Sequence, residues 1–312
     1  MEIVQSQLTF SVIINCYNGG KFLRQAIDSV YSQTYSDWEI ILWDNGSTDE
    51  TPKIATSYDQ KLRYFRSEDT LPLGAVRNRA ISQAEGKYIA FLDADDFWYI
   101  NKLEKCNQAI LRDKAELIYS NSHILYADGK TKTLFSKDAD LPSGNIFTNL
   151  LKNYCINFQT FVLSRKVLER MGEWFDDSFE VTEDMDFVLR ASLVSNACGL
   201  TEILVGYRVH SESLTWRKSS AFITEKNRIL EKLVALGLLN REEKKLLRSS
   251  FLDPSYRTHA IACALAGRRR EALSGLTKMS KMTGKCLLLQ AALLLLPSFL
   301  VSCLVRKYFF GE

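Results

Sequence analysis

The apolar run Tyr88-Ile-Ala-Phe-Leu92 is followed at once by Asp93-Ala94-Asp95-Asp96. Two carboxylates separated by one residue can share a hard cation. Mg2+ or Mn2+ would take one or two of them and complete its shell with phosphate oxygens and water. The bland reading is a turn whose Asp side chains accept from nearby amides. The company these residues keep favours the first reading. Asn15-Cys-Tyr17-Asn18-Gly-Gly20 follows the apolar residues 10–14, and Asp44-Asn-Gly-Ser-Thr-Asp49 follows residues 38–43. Together the three clusters supply carboxylates, amides and an aromatic ring. A base and ribose need such partners, and a diphosphate needs a divalent metal with its carboxylates.

The apolar runs that carry these clusters read as strands. Residues 10–14, 38–43, 64–65 and 88–92 are short and apolar or aromatic. Between them, residues 21–33 place Phe22, Ala26, Ile27 and Val30 on one helical face, and residues 74–83 form a further helix. Ser47-Thr-Asp-Glu50 has the spacing of a helix-capping box. This β-α-β-α-β-α-β order predicts an α/β fold with a mostly parallel sheet and helices on both faces. Ligands bind beyond the carboxyl ends of such strands, so the three clusters should share one rim. Residues 117–126, 158–164 and 203–209 also read as strands, and 183–193 as a helix. Beyond residue 217 the pattern is helical throughout, with a helical hairpin turning at Gly267.

Of the 312 residues, 46% are hydrophobic and 25% charged, and only 5 are Pro, so an ordinary globular chain without long disordered linkers is expected. Seven Cys are scattered singly, at 16, 106, 155, 198, 263, 286 and 303, with no zinc or redox spacing. The first residues lack the basic-then-apolar pattern of a secretory signal. These features point to a reducing, cytoplasmic compartment. Charge is uneven: residues 217–312 hold 18 Lys+Arg against 7 Asp+Glu, while residues 1–216 hold 22 against 30. A basic tail fits an anionic lipid surface or a nucleic acid, or is simply a solvated helical face. Residues 286–305 form an uncharged apolar stretch of 20, flanked by Lys281 and Lys285 before and Arg306 and Lys307 after. Such a stretch can span a bilayer, lie in its interface, or pack as a buried helix; Pro297 and Gln290 weigh against a simple span.

Residues 10–51, SVIINCYNGGKFLRQAIDSVYSQTYSDWEIILWDNGSTDET with its leading Phe, resemble the opening of a family-2 glycosyltransferase of the GT-A, Rossmann-like fold. LGAVRNRAISQAEGKYIAFLDADD resembles the donor segment of that family. Trp174-Phe-Asp-Asp with Val181-Thr-Glu183-Asp184-Met-Asp-Phe resembles its acceptor-side motif, and Tyr207-Arg-Val-His210 the stretch that closes its catalytic domain. The resemblance covers about two-thirds of the chain, residues 10 to 215. It implies a catalytic domain over 1–216, with a nucleotide-binding half at 1–97 and an acceptor half at 98–216, followed by a helical basic region at 217–312. It further implies an inverting transfer of a hexose or N-acetylhexosamine from a nucleotide-sugar, UDP-sugar by default, to a saccharide or lipid-linked acceptor in surface polysaccharide synthesis.

By position, Tyr17 and Asn18 would lie near base and ribose, with Asn15 beside them in place of the usual Pro, and Asp44 at the base. Arg77 and Asn78 would lie against nucleotide and phosphates. Asp93, Ala94 and Asp95 would form the donor motif, with Asp93 and Asp95 reaching the metal and Asp96 in support. Asp184 would be the base, Glu183 and Trp174 acceptor contacts, and His210 a further metal or phosphate contact. The partner at the tail would be an anionic membrane surface, with the protein at the inner face of the cell membrane. The rivals are a nucleotidyltransferase, which would carry a Gly-rich basic loop where Asn15-Cys-Tyr17-Asn18 stands, and a catalytically silent scaffold of the same fold, which has no need of Asp93, Asp95 and Asp184. No reader motif for nucleic acid is present.

Overall fold

The computed structural model describes residues 8–136, 140–209, 217–280 and 282–307. They divide into two compact units. The first holds residues 1–124, 132–150 and 155–208; the second holds 125–131, 151–154 and 209–312.

The first unit opens with β1 (Phe10–Cys16), α1 (Leu23–Tyr31), β2 (Trp38–Asp44), α2 (Thr51–Ala55), β3 (Leu62–Arg66), α3 (Leu73–Gln83) and β4 (Tyr88–Asp93). β1 pairs in parallel with β2 on one side and β4 on the other, and β2 with β3. Such inner strands bury both faces, which is why they read as unbroken apolar runs. Val12, Ile14, Ile40, Leu42, Ala90 and Leu92 form a core with Leu23, Ala26, Ile27 and Val30 of α1. The alternate residues Ile13, Ile41, Ile89 and Phe91 are buried as well, pointing to the other face.

After β4 the chain forms β5 (Phe97–Trp98), α4 (Lys102–Asp113), β6 (Leu117–Leu125), β7 (Thr131–Thr133) and α5 (Phe147–Lys152). Then come β8 (Val162–Ser164), α6 (Arg165–Met171), α7 (Glu183–Leu193) and β9 (Ala197–Arg208). The sheet order is β3-β2-β1-β4-β8-β6-β9-β5. β8 runs antiparallel to β4 and β6, and β5 antiparallel to β9. So the expected parallel sheet is the first half of a mixed one. Residues 158–164 depart from the expected strand: Phe158–Thr160 is a single 3-10 turn and only three residues extend β6 and β4. The turn forms because the Thr160 amide and hydroxyl both bond the Asn157 carbonyl, at 2.9 and 2.6 Å.

The capping box expected at residues 47–50 is also absent. Glu50 caps α2 without a side-chain bond, and Asp49 accepts the Thr51 amide at 3.0 Å instead. Ser47 is drawn away because its hydroxyl accepts the Asn18 amide at 2.8 Å.

The second unit holds α8 (Ser219–Ala235), α9 (Arg241–Leu265), α10 (Arg269–Thr277), α11 (Gly284–Leu295) and α12 (Ser298–Val305). α9 starts on a complete capping box between Asn240 and Glu243, with bonds of 2.9 and 2.8 Å. It turns into α10 at Gly267, whose φ of 71° suits a residue without Cβ. Cys286, Leu289, Leu293, Val301 and Val305 pack with Ala260, Cys263, Ala264, Ala272 and Leu276. Residues 286–305 are therefore two helices, not one. Pro297 has no N–H and forces Leu296 into an extended conformation, φ −107° and ψ 152°. No helix among the described residues is long and apolar enough to cross a membrane.

Candidate active site

The ends of β1 and β2 are stitched together by side chains. The amides of Asn18, Gly19 and Gly20 bond Ser47 Oγ, Thr51 Oγ1 and Asp49 Oδ2 at 2.8, 3.1 and 2.9 Å. Asn18 Oδ1 accepts the Thr48 amide in return at 2.9 Å. Asn18 takes a left-handed conformation, φ 50°, which Asn tolerates because its short amide can bond locally. Gly19 is required by space: a Cβ there would stand 2.5 Å from Cys16 Sγ and 3.3 Å from Ala94 Cβ. Tyr17 is left at the loop surface, 55% exposed. Asn15 sits beneath, and its buried Nδ2 has no hydrogen-bond partner among the described residues.

Asp44 lies wholly buried at the end of β2. Its Oδ1 accepts the Ser47 amide and its Oδ2 the Tyr64 hydroxyl, both at 2.8 Å, with Arg66 Nε 3.8 Å from Oδ2. Contact with a base therefore requires Tyr64 or Arg66 to give way.

At the end of β4, oxygens of Asp93, Asp95 and Asp96 lie within 4.8 Å of one another. Asp96 is fully buried. Its Oδ1 accepts the Arg208 amide at 2.8 Å, while the buried Oδ2 has no hydrogen-bond partner among the described residues. Burial and the charges of Asp95 and Asp93 push its carboxyl well above the usual range. Burial also raises Asp93, to about 6, with Arg77 opposing and Asp95 and Asp184 adding to the rise. A compact all-carboxylate group with an orphaned buried oxygen fits a hard divalent cation, which would relieve both the repulsion and the missing partner.

Arg77 underlies this group. Its guanidinium lies 2.5 Å from Glu183 Oε1 and 3.5 Å from Asp93 Oδ1, over the rings of Phe158 (4.5 Å) and Phe175 (5.4 Å). Those rings belong to an aromatic cluster with Phe91 and Phe187. The resemblance set Arg77 and Asn78 against the nucleotide; here both side chains are used inside the protein. The Asn78 amide donates to the Phe175 carbonyl at 2.8 Å and accepts its N–H at 3.0 Å, because that extended segment has no strand to pair with.

Three carboxylates start α7, where the helix dipole favours negative charge. Two are held by arginines: Glu183 by Arg77, and Asp186 by Arg190 Nε at 2.8 Å. Glu183 is only 3% exposed, so its side chain is shielded from an acceptor rather than offered to one. Burial raises its carboxyl to about 7, against the pull of Arg77. Asp184 Oδ1 accepts the Met185 amide at 2.6 Å, and its charge acts on Asp93, Glu183 and Tyr207. Trp174 is half-buried, and its carbonyl accepts from Arg190 Nη2. His210 lies outside the described residues.

Three residues given no role from the sequence complete the site, two of them, Tyr207 and Arg208, inside the Tyr207-Arg-Val-His210 stretch. Gln159 Nε2 donates to Asp93 Oδ2. Its turn is clamped from behind, where Trp98 Nε1 donates to the Gln159 carbonyl at 3.0 Å and the buried Lys102 Nζ to the Thr160 carbonyl at 3.1 Å. Arg208 donates from its side chain to the Asp95 carbonyl and to Gln25 Oε1, and lies over Phe22 and Phe97. Tyr207 sits where burial and the charges of Asp96, Asp95, Asp93 and Asp184 all raise its phenol.

Residues 11–172 match the model of glycosyl transferase family 2. An uncharacterized glycosyltransferase of Rickettsia bellii is 31% identical over 81% of this chain, which spans 38% of that relative's length. The Escherichia coli UDP-Glc:alpha-D-GlcNAc-diphosphoundecaprenol beta-1,3-glucosyltransferase WfgD is 30% identical over 67% of this chain and 80% of its own. Among solved structures, S. aureus TarS 1-349 in complex with UDP-GlcNAc superposes with a TM-score of 0.66 at 17% identity, covering 98% of this chain and 93% of that one. This last likeness carries the fold alone.

Proposed function

Because the chain belongs to glycosyl transferase family 2, we propose that it transfers a hexose or N-acetylhexosamine, with inversion, from a nucleotide-sugar to a saccharide or lipid-linked acceptor. A UDP-sugar is the donor of choice, given the relative WfgD, and surface polysaccharide synthesis the setting. The catalytic domain in this reading is residues 1–216, and it works at the inner face of the cell membrane. The observation that carries the proposal is the convergence of Asp93, Asp95 and Asp96 at the end of β4, electrostatically linked to Asp184 at the start of α7.

Asp93 and Asp95 would hold Mn2+ or Mg2+, with Asp96 in support. When bound, the metal supplies positive charge against the charge that gathers on a departing diphosphate. The protein's residues do the rest. The stitched loops bearing Asn15, Tyr17 and Asn18 receive base and ribose, and Asp44 takes the base once a partner gives way. Ala94, packed on Gly19, keeps the donor loop close to that floor. Arg77 fixes Asp93 and Glu183 rather than binding substrate. Asp184 accepts the proton of the acceptor hydroxyl as that oxygen attacks the anomeric carbon. Attack on the face opposite the diphosphate inverts the centre. Asp184→Asn tests this: nucleotide binding should persist while transfer is lost. A mutant as active as the wild type overturns the assignment of the base.

A further inference from the structure

Many of the large apolar side chains on the second unit's last two helices face outward. On α11, Leu287 and Leu288 are exposed at one end and Leu294 (62%) and Leu295 (80%) at the other. On α12, Phe299 (68%) and Leu300 are exposed next to that second end. Cys286, Leu289, Leu293, Val301 and Val305 are buried in the core below, with Ala292 and Leu296 partly buried against it. A cleft of about 460 Å³ between the two helices is lined by Leu288, Ala292, Leu295, Val301 and Leu304, with Lys285 at its edge. Scattered exposed leucines are ordinary; a contiguous apolar face with an apolar cleft marks an interaction site.

The arrangement of charge says what covers it. Lys285 and Val305 line the same cleft although they stand at the two far ends of the α11–α12 segment, so the pair folds back on itself as a hairpin. Its turn, around Leu296 and Pro297, carries no charge of its own, with Arg269 beside Ser298 on the side packed against the rest of the unit. Lys285, Arg306 and Lys307 stand at the two chain ends that form its open end. At 1.5 Å per residue, the 12 residues of α11 and the 8 of α12 reach about 18 and about 12 Å. One leaflet of hydrocarbon is about 15 Å deep. The geometry points to a hairpin that dips into a single leaflet of an anionic bilayer, with Leu294, Leu295 and Phe299 in the acyl region and the cations at the headgroups. Basic residues near such a surface add attraction to anionic lipid. The hairpin is too short to emerge on the other side. This inference deepens the membrane-side reading above and rests on it.

The test is flotation of the full chain with preformed vesicles, one set phosphatidylcholine and the other containing phosphatidylglycerol, with UDP titrated into the same preparation. The wild type should float with anionic vesicles and at least tenfold less with neutral ones. Leu294→Glu/Leu295→Glu should lose flotation at least tenfold. Lys285→Glu/Lys307→Glu should erase the preference for anionic lipid. Both variants should keep wild-type nucleotide affinity, since neither touches the strand-end site. A wild type that ignores both vesicles while binding UDP overturns the hairpin and leaves the donor reading standing. Vesicle binding without nucleotide binding does the reverse. A dimer in solution that dissociates on Leu294→Glu/Leu295→Glu, with no flotation, assigns the face to a second copy and also overturns the proposal.

Discussion

The strand-end rim and the last two helices expose opposite kinds of residue. Around the rim, charge is buried: Arg77, Lys102, Asp96 and Glu183 are each under 5% exposed. In α11 and α12 it is the apolar side chains that face outward, while the nearby cations are exposed as well. Buried charge is costly to desolvate and is kept where each charge has a fixed partner or an incoming ligand. Exposed apolar surface is kept where something apolar will cover it. The difference teaches that the two regions await different guests: one a cation with an anionic donor, the other a lipid phase. Both expectations begin from groups the fold leaves incompletely satisfied, such as Asp96 Oδ2 at the rim and Leu295 on the hairpin.

The comparison breaks first at Asp184. If the rim is catalytic, Asp184→Asn should lower transfer by about 10²–10⁴-fold, the usual contribution of a general base, with donor affinity unchanged in a titration. A rim that only scaffolds would show no such split. Next in size, Arg77→Ala strands two carboxylates and should cost about 3–5 kcal/mol in a denaturant melt. The third is acidity. A cation must displace the proton from Asp93, whose carboxyl is raised to about 6, so metal-dependent nucleotide affinity should level off above that pH. Below it, affinity should fall by about tenfold per unit as protons compete. The fourth sharpens the contrast from the other side. Leu295→Ser removes a side chain that is 80% exposed, so unfolding free energy should shift by less than about 0.5 kcal/mol. A much larger loss would mean that Leu295 is part of a core.

The parallel half of the sheet was legible because strands buried on both faces read as plain apolar runs, as in residues 10–14 and 88–92. The polar clusters at their ends were legible for the same reason: Asp93 and Asp95 stand out against Phe91 and Leu92. Less was visible where distant segments meet. Gln159 reaches Asp93 from 66 residues away, and Arg208 reaches Asp96 from 112. Gln159 sits on a single 3-10 turn with no local pattern to mark it, and Arg208, although inside the Tyr207-Arg-Val-His210 stretch, meets Asp96 only once the long strand β9 has returned beside β5. Lys102 looks like any cation at the start of a helix, and only the fold buries it under Thr160. The expected strand at 158–164 failed at Phe158-Gln-Thr160, where aromatic content suggests β structure but the Asn157 carbonyl gathers the turn. The apolar run at 286–305 misled by its length: Pro297 divides it into two short helices.

The central claim is a metal-dependent donor site at Asp93, Asp95 and Asp96. Calorimetric titration of UDP into the wild type and Asp95→Ala, each with and without Mn2+, tests it most directly. The account predicts binding to the wild type that is strong with Mn2+ and weak without, and no response to Mn2+ in the variant. Equal binding in all four titrations would contradict it.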